Sequence, residues 1–175
     1  MATPIPFTPG HSTSGTFTTE EWNRVLASPM LAGVAVTLAE PSGLVGMLKD
    51  AAASGRAVLQ AKTAPGCNRL MQAIAEEIET PEGRCLVRNA LEAEITGKSA
   101  PEIKAHLIAA LGEIGRLLDT KAPQDAPAVK AWLQHVAEQV ADASNEGGFL
   151  CVGGVRGSDA EKASLEEIGR VLNLV

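Results

Sequence analysis

A chain of 175 residues carrying a formal net charge of -6, with its 15 Lys and Arg residues scattered, has no basic patch for nucleic acid and no basic amphipathic stretch for an anionic membrane. Aromatic residues make up 3% and tyrosine is absent, which also removes the stacking platform of a single-strand binder. The apolar fraction of 45% is largely Ala, Leu, Ile and Val, the composition of a helical core with closely approaching helices.

Residues 1–17 read as a disordered arm, because Met1 to Gly15 is rich in Pro, Thr, Ser and Gly. Residues 18–175 read as one all-α domain, a bundle of about eight helices around a buried central one. Thr18-Thr19-Glu20-Glu21 is a capping box, with Thr18 as N-cap and Glu21 reaching back. It opens a short helix to about Ala27, carrying Trp22, Val25 and Leu26. Ser28-Pro29 then starts the second helix, with serine as N-cap and proline in the first position. Met30 to Ala39 carries no charge and, apart from Thr37, no polar side chain. A helix apolar all round must be covered on every side, and this run is far shorter than the ~20 residues that span a bilayer. It is the expected centre of the bundle.

Ser42 caps a third helix, Gly43 to Lys62, with a small-residue run Ala51-Ala52-Ala53-Ser54-Gly55. The fourth helix, Asn68 to Glu79, spaces Leu70, Ile74 and Ile78 four apart. Thr80-Pro81 ends it and starts a fifth, running to Thr96 with Val87, Leu91 and Ile95 on one face. Ser99-Ala100-Pro101-Glu102 is a second capping box. The sixth helix, to Thr120, has the clearest amphipathic pattern: Ile103, Leu107, Ala110, Leu111, Ile114, Leu117 and Leu118. Gly112 and Gly115 inside it cost about 1 kcal/mol each against alanine, which points to a close helix neighbour. The seventh helix, Ala126 to Ala143, turns Val129, Leu133, Val136 and Val140 inward. Asn145 to Gly157 is a glycine-rich loop, and Ser158-Asp159-Ala160-Glu161 caps an eighth helix with Leu165, Ile168 and Leu172 inward.

Catalytic chemistry has little to work with. The three cysteines, Cys67, Cys85 and Cys151, show neither metal-ligand nor redox spacing and suit a reducing compartment. No basic segment followed by an apolar run opens the chain, so a cytoplasmic location is expected. His106 has no nucleophile at a telling spacing, and no Ser-x-x-Lys string or Gly-x-Ser-x-Gly elbow occurs. His135, Glu138 and Asp142 share a helix face, but that face lies opposite the apolar stripe and reads as solvated. The glycine loop lacks the Gly-Lys-Ser/Thr of a phosphate cradle, and Asp159 and Glu161 after it would repel a phosphate. Oxygen donors do flank it at both ends, in Asn145, Glu146, Ser158, Asp159 and Glu161, and hard cations take oxygen ligands. An internal echo links Ala39-Glu40-Pro41-Ser42-Gly43-Leu44-Val45 with Ser144-Asn145-Glu146-Gly147-Gly148-Phe149-Leu150, each with a tryptophan upstream, Trp22 and Trp132.

The second copy of that echo carries a family resemblance. A helix, then Ala143-Ser144-Asn145-Glu146-Gly147, a loop, and Ser158-Asp159-Ala160-Glu161 leading into Leu165-Glu166-Glu167-Ile168 and Leu172 resembles the helix-loop-helix pattern of the TerB-like, tellurite-resistance proteins. The chain has Asn145-Glu146-Gly147 where that family has Asp-Gly, and a longer glycine loop. The resemblance implies an all-α bacterial protein of stress or phage-defence systems. It also implies a divalent metal ion bound through acidic residues, here Glu146, Asp159 and Glu161. The expected function is therefore non-enzymatic, the binding of a protein partner or a divalent cation. The alternative is a ligand-free helical interaction module, self-associating through small residues of the third or sixth helix.

Overall fold

A computed structural model describes residues 16–39, 55, 58, 60, 66–146 and 159–174. Their regular elements are all helices, and no strand occurs among them. The elements are α1 (Thr19–Thr37), α2 (Arg69–Glu79), α3 (Pro81–Ile95), α4 (Ala100–Lys121), α5 (Ala126–Glu146) and α6 (Asp159–Val171). The expected third helix, the glycine loop and most of both echo segments lie outside the described residues, although Gly55, Val58 and Gln60 are helical and Val58 is buried.

Six helices among the described residues replace the expected eight for one definite reason besides that. The first two expected helices are a single one: α1 runs through Ser28-Pro29 without a break. A proline inside a helix lacks the N–H that would bond the carbonyl four residues back, here Val25 O. The Ser28 hydroxyl takes over, donating to Val25 O at 2.6 Å. Both Ser28 and Val25 are fully buried, so water could not have done so. The serine expected as an N-cap is instead a side-chain substitute for a missing backbone donor.

α1 is central, as its composition requires. It touches each of the five other helices named, and Val25 to Pro29, Leu31 to Gly33 and Ala35 to Thr37 are all buried. The start of α1 is the expected capping box: Thr18 N–H donates to Glu21 Oε2 at 2.7 Å and Glu21 N–H to Thr18 Oγ1 at 3.2 Å. That backbone donor, with Lys121 beside it at 3.4 Å, holds the Glu21 carboxyl below its ordinary range. Phe17, directly before the cap, is buried with its ring 6.1 Å from that of Trp22. Trp22 Nε1–H donates to Glu77 Oε2 at 2.8 Å and so ties α1 to α2.

Thr80-Pro81 breaks the chain where expected, between α2 and α3. Gly83 N–H donates to the Thr80 hydroxyl at 2.9 Å, and that hydroxyl donates to Glu77 O at 2.7 Å. A Cβ on Gly83 would run into Glu77 O, so the tightness of this corner depends on glycine. At the start of α4, Glu102 accepts from both the backbone N–H and the hydroxyl of Ser99, at 2.8 and 2.5 Å, and both bonds keep its carboxyl acidic. α4 and α5 bury the expected stripes, Leu107, Leu111, Ile114 and Leu118 on one, Val129, Leu133, Val136 and Val140 on the other. Between them Lys130, almost wholly buried, lays its ammonium against both Asp119 oxygens at 2.6 Å.

The close neighbour expected at Gly112 and Gly115 is the last turn of α6. A Cβ on Gly112 would stand 3.3 Å from Val171 Cβ, and one on Gly115 would stand 3.5 Å from Leu172 Cδ2.

Candidate functional site

The chemistry singled out in the sequence converges on α5, α6 and the junction between them. α6 places its two candidate carboxylates differently. Asp159, in the first turn, is fully exposed and lies 3.9 Å from Lys162 Nζ. Glu161 is 2% exposed and belongs to the inward face with Ser164, Ile168 and Leu172. Two positions apart on a helix means a rotation of about 200°, which accounts for the divergence. Glu146 is the last residue of α5 and therefore stands at the other end of the same junction. The side chains of Glu146 and Asn145, and Ser158 and the loop between, lie outside the described residues. Among the described residues, no group of three or more His, Cys, Asp or Glu is placed to hold a metal ion.

Further along the same two helices runs a groove of 620 Å³, lined by Gln134 and Glu138 of α5 and by Leu165, Glu166, Gly169, Arg170 and Leu174 of α6 and its C-terminal extension. Its cause is local. Gln134 stands between the helices and donates through Nε2 to Leu165 O at 3.3 Å and to Glu138 Oε1 at 3.4 Å. The long amide thus bridges the two helices beside the groove. The amide oxygen of Gln134 is buried without a partner. Leu174 is 38% exposed, the one large apolar side chain so exposed among the described residues. Chemically the groove combines an apolar floor, two carboxylates and one guanidinium. A volume of this size accommodates a few side chains, within the range of about 300–1,000 Å³ typical of ligand pockets.

The remaining candidates have settled positions. His135, Glu138 and Asp142 are exposed, and His135 Nδ1 lies 3.7 Å from Glu138 Oε2, so this face is the solvated one its spacing implied. His106 is exposed and pairs with Glu94 of α3 at 2.9 Å, a partner no spacing within its own helix could indicate. Cys85 is exposed beside Arg88 and Asn89, and Cys67 is half-buried. No helix among the described residues is long and apolar enough to cross a membrane.

The groove residues were not recognisable from sequence as a set. Leu165 reads as a core position on the α6 stripe, and Glu138 reads as solvent-facing; only the pairing of α5 with α6 makes them neighbours. Comparison of the chain with protein-family models, with curated proteins and with solved structures finds no match.

Proposed function

We propose that the protein is a non-catalytic helical recognition module whose groove between α5 and α6 seats side chains of a protein partner. The supporting observation is the groove itself, with Leu165 and the exposed Leu174 as apolar surface and the carboxylates of Glu138 and Glu166 outnumbering the one guanidinium of Arg170. Such a lining suits a partner segment with an apolar anchor and a neighbouring Lys or Arg, since aliphatic burial supplies the affinity and the charge pair fixes the register.

Selection from a displayed peptide library tests this. Enriched peptides should pair an apolar residue with a basic one, bind at least tenfold more weakly to the Leu174→Asp protein, and weaken with added salt. No enrichment, or equal binding to Leu174→Asp, would overturn the reading. Light scattering on the same samples separates a second copy of the chain from a foreign partner: a dimer lost in Leu174→Asp identifies the occupant as the protein itself.

A second reading, in line with the TerB-like resemblance, is a divalent cation held at the α5–α6 junction by Glu146, Asp159 and Glu161. What supports it is the placement of Glu146 at the end of α5 and of Asp159 and Glu161 in the first turn of α6, at the two ends of one junction. Its test is thermal denaturation of chelator-stripped protein with Ca²⁺, Mg²⁺, Mn²⁺ or Zn²⁺. At 100 times its dissociation constant a ligand stabilises by about 2.7 kcal/mol, a rise of roughly 5–11 °C for a domain of this size. A selective rise lost in Asp159→Ala supports the cation; a flat response to all four removes it.

A further inference from the structure

We draw no further inference here: the strongest candidate outside the groove, the Trp22 and Glu77 side-chain cluster between α1 and α2, ties two helices together, and nothing in the structure points to a ligand for its unpartnered carboxylate oxygen.

Discussion

α6 meets α4 on one side and α5 on the other, and the two seams are built from opposite materials. Against α4, glycines at 112 and 115 let Val171 and Leu172 come into direct contact with the helix surface. Against α5, Gln134 stands between the helices with Glu138 at the exposed edge, and a groove remains. Side-chain size at a few positions thus decides which seam closes and which stays open. The closed seam stabilises the fold by dispersion and by excluding water. The open seam leaves Leu174 exposed and the Gln134 amide oxygen buried without a partner, a configuration that costs stability.

The largest effect should come from breaking the closed seam. In Gly112→Leu the new side chain has no room beside Val171, and overpacking of this kind costs about 1–3 kcal/mol. Thermal denaturation by circular dichroism should register a fall of roughly 2–12 °C. Removing the unpartnered acceptor of the open seam should act the other way. Gln134→Leu replaces a buried, unpartnered acceptor with apolar atoms of similar size, and we expect a gain on the order of 1 kcal/mol in urea titration.

Gly115→Ala sharpens the contrast within the closed seam. Its Cβ would make ordinary contacts, so the helix propensity gain dominates, and a rise of about 0.5–1 kcal/mol is expected. A smaller effect still is electrostatic and concerns the outer side of α4. Arg24 of α1 pairs with Glu113 and holds its carboxyl below the ordinary value of 4.5. A carboxylate whose pKa is depressed in the folded state contributes stability that is complete above its unfolded value and is lost as pH falls through the folded one. The protein should therefore lose some stability below about pH 4.5, and less of it in Arg24→Met, when melting temperature is followed against pH. Leu174→Asp, on the rim of the open seam, should change stability by no more than about 0.5 kcal/mol, which makes it the appropriate variant for binding experiments.

Two hydroxyl–proline pairs show how much of the fold was legible in the sequence. Ser28-Pro29 and Thr80-Pro81 both read as helix starts. In each the hydroxyl donates to the carbonyl three residues back, at 2.6 and 2.7 Å. The second is a helix start because water reaches the corner, charged residues such as Glu79 and Arg84 surround it, and Gly83 permits the close turn. The first lies in an apolar stretch where no water could satisfy broken backbone bonds, so the helix continues through the proline. Flanking polarity was the available signal, and it outranks the dipeptide. The apolar stripes of α4 and α5, the capping boxes at Thr18 and Ser99 and the buried centre of α1 followed directly from periodicity and hydroxyl–carboxylate spacing. The site was less legible. Asp159 and Glu161 could be found as acidic residues flanking a loop, but not their divergence, and the groove depends on which helix lies beside α6.

Hydroxyl-radical footprinting with mass spectrometry, on the protein alone and with a selected groove binder, tests the difference between the two seams most directly. The open groove predicts labelling at Leu165 and Leu174 in the protein alone, protection of both when the binder is present, and no labelling of Leu172 in either state. Labelling of Leu172 in the protein alone, or protection that falls away from α5 and α6 when the binder is added, would contradict it.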